Sequence, residues 1–406
     1  MIGIVGLAVV LSEDRKAISI RTVVPGLVIQ VGLGLLLILV PAGQRIMEGA
    51  SGLVVLVLNC AIVGAEFVFG PSLVDPAGPA GFVFAFRVLP TVIFVAALFA
   101  VLYQIGLMQI IVRGFAWIMA KLLGSSGAES LNVAASLFLG QTEAPLTIRP
   151  FLARLTRSEL MVVMVSGMAL VSGGVLGAYI EAGAAPGILL TAILMNAPAS
   201  IVLAKILVPE SSVPLTLGRV DADTTPRDAN VIDAAARGTR EGLQLALNIA
   251  AILITFLALI ALVDAGLGAL GGLATDWSSG RLALEGLSLR MILGTLLAPV
   301  AWMMGVPWGD CVGVGGLLGS RLVLNELVAY GQLGTMAAQL QPRSVTLATF
   351  ALCGFANLSS IGIQVGGIGS LVPERRSDLA QLGLRALLAA TLANVLTASI
   401  AGTLLP

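Results

Sequence analysis

Gln141, Thr142 and Glu143 stand in a row inside the run Ser136–Leu152, framed by Gly140 and Pro145. A second acid, Glu326, sits in another apolar run, and Asn357, Ser359 and Ser360 follow Phe355. A carboxylate accepts two hydrogen bonds from a vicinal diol. A Gln–Glu pair offers the donors and acceptors that read a nucleobase edge. Two acids, two amides (Gln141 and Asn357) and the hydroxyls of Thr142, Ser359 and Ser360 suit a neutral, multiply hydroxylated or amide-bearing solute. An anionic solute would call for Arg or Lys within these runs. Phe355 adds an apolar surface. Acid–base catalysis by two carboxylates is the competing chemistry, but the chain has no His, no metal motif and no nucleophile beside a base. Cys60, Cys311 and Cys353 lack metal-ligand spacing and read as small core residues. No cofactor and no metal is expected.

The elements that must position these groups follow from composition. Of 406 residues, 58% are hydrophobic and 11% charged, against about 25% charged in soluble domains. The chain reads as an all-α polytopic membrane protein, because β-barrel strands give weak alternating segments instead of long apolar runs. Its net charge of zero gives no reason to expect a nucleic-acid partner. The runs long enough to cross a bilayer are Val24–Pro41, Val88–Leu107, Leu160–Ile180, Gly187–Val208, Leu243–Val263, Val345–Ile368 and Leu379–Leu405. With the shorter opening run Met1–Leu11 they predict eight transmembrane helices. Gln44–Phe69 carries Arg45, Glu48, Asn59 and Glu66 and reads as an interfacial helix; Gly106–Gly124 and Ser288–Val306 read as surface helices. Trp117 and Trp302 on them read as interfacial anchors. The polar stretch Pro209–Glu241 reads as a loop. Arg15, Lys16, Arg21, Arg113, Lys121, Arg154, Arg157, Lys205, Arg219–Arg240, Arg375 and Arg376 share one side if both termini lie outside, which is the orientation that positive charge selects. Arg45, Arg87 and Arg281 fall opposite.

"AWIM" at Ala116–Met119 returns as "AWMM" at Ala301–Met304. Each is followed by a polar cluster with a Glu, then an interrupted helix (Leu170–Gly177; Phe355–Gly369), then one more apolar helix. The two units start on opposite faces, so they form inverted repeats. Each Glu lies in a stretch too polar to cross and too apolar for a solvated loop. A re-entrant hairpin fits both facts, since irregular backbone at that depth survives only beside protein or a wet cavity. A carboxylate there costs at least about 2.5 kcal/mol, so Glu143 and Glu326 must meet donors in one chamber. Blander readings stand beside each: Glu143 capping its turn, Asn357 and Ser360 satisfying a helix break, Val175 and Phe355 only packing, and Asn196, Asn248 and Gln364 linking helices. The organisation expected is 1–107 scaffold helices with the interfacial helix, 108–208 first repeat, 209–287 loop and scaffold helix, and 288–406 second repeat.

"GQTEAP", "NELVAY" and "CGFANLSSIGIQVGGIG" resemble signatures of the concentrative nucleoside transporters, and "LSEDRKAISIRTVVPGLVIQ" is similar to that family's first loop and second helix. The resemblance implies a homotrimer in the lipid bilayer, a scaffold that holds the trimer, and a mobile transport domain that carries nucleoside as an elevator. It implies that Gln141, Thr142 and Glu143 bind the base, with Val175 beside it. Glu326, Asn357 and Ser360 would hold the ribose hydroxyls, and Phe355 would pack on the nucleoside. Sodium-coupled members carry an Asn and a Ser where this chain has Ser136 and Leu170. Losing those oxygens weakens a site for a hard cation. The coupling ion expected is therefore the proton, with sodium less favoured, and Glu143 or Glu326 carries it. The expectation is a cation-coupled nucleoside symporter of a bacterial plasma membrane. The alternatives are sodium coupling, an elevator carrier of another small polar solute, and, least favoured, an intramembrane enzyme.

Overall fold

Proline sets where several helices begin: Pro41, Pro71, Pro186 and Pro342 each open one, at the position whose N–H has no helical partner. The computed structural model describes residues 1–218, 228–277 and 287–405. Arg219, Arg281 and the stretch 221–227 lie outside the described residues. The helices are α1 (Ile2–Val10), α2 (Ile20–Gly34, prolonged by a π turn at Leu35–Leu39), α3 (Pro41–Phe69), α4 (Pro71–Val74), α5 (Phe84–Gln104), α6 (Leu107–Leu123), α7 (Gly127–Ser136), α8 (Arg157–Ala169), α9 (Gly173–Glu181), α10 (Pro186–Leu207), α11 (Val231–Trp277), α12 (Leu289–Met303), α13 (Cys311–Val323), α14 (Glu326–Met336), α15 (Pro342–Leu352), α16 (Leu358–Leu371) and α17 (Arg376–Leu404). The polar stretch expected as a loop up to Glu241 is helical from Val231. Arg237 and Glu241 pair one turn apart there, which supports the first turns of α11.

Tertiary contacts fix two ends. At one, Gly3 faces Met303, Gly402 packs on the Met304 carbonyl, and Arg343 donates to the Gly402 and Leu405 carbonyls. Both termini therefore lie together. At the other, the Glu13 N–H donates to the Leu207 carbonyl (2.9 Å), Arg157 and Arg385 each meet Glu13 (3.0 Å), and Arg375 donates to the Leu155 carbonyl (2.7 Å). Following the chain between these ends gives passages by α1, α2, α5, α8–α9, α10, α11, α15–α16 and α17. Among the described residues seven helical segments have the length and hydropathy of a span. They include α3 and omit α1 and α15–α16. Yet α3 starts against Leu36, passes Gly187 at the head of α10, and ends with Phe69 on Phe86 at the head of α5. It stays at the terminal end.

Two hairpins enter from opposite ends. The first (α7, a turn, then 3-10 turns) is anchored by Gly127 N–H on the Thr216 carbonyl (2.9 Å). The second (α13 and α14) starts beside Val306 and Pro307 at the terminal end. The surface helices α6 and α12 precede them, each with its Ala inward and its Trp outward: Ala116 and Ala301 are buried, Trp117 and Trp302 exposed. The core lies between the hairpins, where α8 and α10 are almost wholly buried, while α11 shows most of its surface. Cys311 and Cys353 are buried as expected, but Cys60 is exposed on α3.

Candidate functional site

Helix ends aim the polar groups. Asn325 caps α14, its side chain accepting from the Val328 N–H (2.9 Å). This places Glu326 in the first turn of that helix, where the macrodipole favours a negative charge. Asn357 caps α16 in the same way, accepting from the Ser360 N–H (2.9 Å). Its Nδ2 is thereby left to donate to Glu326 Oε2 (3.1 Å), while Tyr179 Oη donates to Oε1 (2.8 Å). The Glu326 carboxylate is buried, with one partner from each repeat.

The network continues across the molecule. Ser360 Oγ donates to Asn357 Oδ1 (3.1 Å) and accepts from Gln141 Nε2 (3.2 Å). Gln141 Oε1 accepts from Gln364 Nε2 (3.2 Å), which also reaches the Met164 carbonyl (3.0 Å). Thr142 lays its methyl over Gly367, and a Cβ on Gly367 would lie 2.4 Å from it. Gly167 has no room either: a Cβ there would sit 2.6 Å from Gln364 Nε2. Gln141, Glu326, Asn357 and Ser360, placed together by the sequence reading, are thus joined by hydrogen bonds or shared partners. Val175 is buried on α9, and the half-buried Phe355 donates its N–H to the Leu170 carbonyl (3.4 Å) where the two helix breaks meet.

Glu143 stands apart. Its Oε2 accepts from the Gly140 N–H (3.1 Å), and it faces a cleft of about 280 Å³ lined also by Phe99, Tyr103, Ser172, Arg237 and Glu241. Glu143 and Glu326, expected to meet in one chamber, share no hydrogen bond and no partner: Glu326 is buried in the network and Glu143 is exposed on the cleft. Gly140 keeps an ordinary backbone, since it is absent from the positive-φ glycines. A Cβ on it would meet the Glu143 carboxylate at 3.6 Å, an ordinary van der Waals contact, so the turn has room for a side chain there.

Ser136 donates its hydroxyl to the Asn132 carbonyl (2.8 Å), and Leu170 presents only an apolar side chain. One turn before Ser136, buried Asn132 donates to Ser166 Oγ (2.9 Å) and leaves Oδ1 without a partner. No group of three or more Cys, Asp or Glu close enough to hold a metal occurs among the described residues.

The sequence reading missed Tyr179, Arg321 and Asn132. Tyr179 had a signal, being one of three tyrosines and lying just beyond a helix break. Arg321, buried in the second hairpin, donates to the Ala351 and Ala356 carbonyls on either side of the α15–α16 break. Sequence gives no register for that contact.

Comparison with known proteins reaches the same parts of the chain. The model described as the C-terminus of Na+ dependent nucleoside transporters matches residues 188–402. The corresponding N-terminal model matches 1–72, and one described as a nucleoside recognition gate matches 85–186. The uncharacterized transporter YutK of Bacillus subtilis is 44% identical over 99% of this chain and 97% of its own. The sodium/nucleoside cotransporter 1 of Rattus norvegicus is 40% identical over 97% of this chain and 61% of its own. CNTnw, solved in an inward-facing substrate-bound state, superposes with a TM-score of 0.92 at 41% identity, covering 100% of this chain and 98% of that one. This chain belongs to the concentrative, Na+ dependent nucleoside transporter family.

Proposed function

We propose that the protein is a cation-coupled nucleoside symporter of a plasma membrane, working by elevator-type alternating access. One observation carries this reading: the network from Glu326 through Asn357 and Ser360 to Gln141 unites both repeats around two helix N-termini. Its contacts at 3.1–3.2 Å can be exchanged for a ligand's. A ribose diol donating to Glu326 would replace Asn357 Nδ2, and a base edge would take the donor and acceptor of Gln141. Glu143, with Thr142 on the same tip, closes the base side when the cleft narrows. Val175 and Phe355 supply apolar flanks. The exposed face of α11, with α5 packed against that helix, serves as the scaffold and the trimer contact. In favour of alternation, a doubly substituted CNTnw has been solved in an outward-facing state, against which this chain scores 0.91 at 41% identity.

For the coupling ion, the family descriptions favour sodium over the proton expected from sequence. Asn132 Oδ1, buried and unpartnered beside Ser166, keeps one amide oxygen in that region. The proton reading is second and rests on Ser136 and Leu170, with Glu143 or Glu326 as carrier. Uptake of radiolabelled uridine into proteoliposomes tests both. Accumulation under an inward sodium gradient supports the first reading. Accumulation in sodium-free buffer under a proton gradient moves the coupling to protons. Glu326→Gln should abolish accumulation under either gradient, and unchanged uptake would remove the nucleoside assignment.

A further inference from the structure

The two helix breaks are fastened to each other by a matched pair of amides. Asn196 lies in α10 and Asn394 in α17, the last helices of the two halves, and both are fully buried. Each aims its Nδ2 at the same two carbonyls. Asn196 donates to the Ala169 carbonyl (3.2 Å) and the Cys353 carbonyl (2.9 Å). Asn394 donates to the same pair at 2.8 and 3.0 Å. Ala169 ends α8 and Cys353 follows the end of α15, so these are carbonyls that an interrupted helix leaves without an N–H. An amide NH2 has two hydrogens, and each asparagine commits both. The four bonds close a square whose corners come from both repeats.

Two further observations belong to this square. Both Oδ1 atoms are buried without a partner, so the amides are oriented for the carbonyls even at the expense of their own oxygens. The chain also passes close at Gly354, where a Cβ would lie 2.6 Å from Asn394 Oδ1 and 2.8 Å from the Ala169 carbonyl oxygen.

We propose that Asn196 and Asn394 are positioning residues that lock the two breaks into one rigid body. Break one leads into Val175; break two carries Phe355, Asn357 and Ser360. Locked together, they keep a fixed spacing while the surrounding domain moves. The consequence for nucleoside binding rests on the function proposed above; the lock itself does not.

The test is hydrogen exchange on the full-length protein, comparing wild type with Asn196→Leu and Asn394→Leu, together with uridine KM. Each single substitution should raise exchange at both breaks, around Leu170–Gly174 and Gly354–Ser359, and leave α10 and α17 protected. Uridine KM should rise about tenfold, the effect of roughly one lost hydrogen bond in the site's alignment. Faster exchange only at the break of the substituted repeat, or at neither, overturns the lock. A lowered melting temperature with KM unchanged overturns the positioning role towards the site and marks a merely structural one. Asn196→Ser and Asn394→Ser, which keep one donor, carry the same comparison if a leucine variant does not fold. A wild type that takes up no uridine sinks the nucleoside reading, while the exchange result still decides the lock.

Discussion

Glu326 accepts from a phenol and an amide, and it lies in the first turn of α14, where the macrodipole favours its charge. A buried carboxylate stripped of one donor carries the cost of an unmet lone pair. Tyr179→Phe removes a single hydrogen bond and should raise uridine KM about three- to tenfold with the maximal rate kept. An unchanged KM in proteoliposomes would take Tyr179 out of the site. Gly367→Ala drives a methyl into Thr142, and such overpacking costs about 1–3 kcal/mol. We expect the strain to move the first hairpin's tip, so that uridine affinity falls further than melting temperature does. Equal affinity to wild type would show that Thr142 shifts freely.

At the scale of elements, caps hold the first hairpin and its neighbour in register. Ser126 and Glu129 form a capping box on α7, Thr156 and Glu159 form another on α8, and Ser126 Oγ donates to Glu159 Oε1 (2.6 Å) to link them. Lys205 from α10 pairs with Glu129 and Glu210. Ser126→Ala should lower stability by about 1 kcal/mol or more, since it breaks a cap and a bridge; a melting temperature unmoved in detergent would refute this. The start of α11 is fastened differently. Arg237 grips Asp228 at 2.8 and 2.9 Å, while Gln104 exchanges two hydrogen bonds with the Asp228 backbone. The guanidinium holds the Asp228 carboxyl below the usual carboxylate range. A carboxyl with a lowered folded pKa contributes stability above its ordinary value near 3.9 and loses it as pH falls through the lowered one. Amide protection at Asp228–Asn230 should therefore hold at neutral pH and fade below about pH 4. In Arg237→Gln it should be weak throughout. Protection that ignores both changes would mean that Gln104 alone fastens this segment.

For the whole molecule, the two hairpins enter from opposite ends and both termini share one end. Lys205, Arg154, Arg157, Arg375 and Arg376 cluster towards the other end, and the positive-inside rule predicts that end to be cytoplasmic. We expect a cysteine added at the C-terminus, in a Cys60→Ser background, to react with an impermeant thiol reagent on intact cells. Labelling only after lysis would invert the topology.

The chain by itself determined its apolar helices, its internal repeat and most residues of the Glu326 network. Span length, proline and glycine positions, and the cost of burying a carboxylate in lipid are local matters, written in consecutive residues. The surface helices α6 and α12, the broken helices and the hairpins could be read for that reason. Only tertiary structure decided that Glu143 faces the cleft while Glu326 is buried in the network, that Tyr179 and Gln364 join that network, and that Asn196 and Asn394 meet across the repeats. Those contacts join residues far apart in the chain, and which of two partners a carboxylate or an amide faces depends on how helices pack, for which spacing along the sequence holds no record.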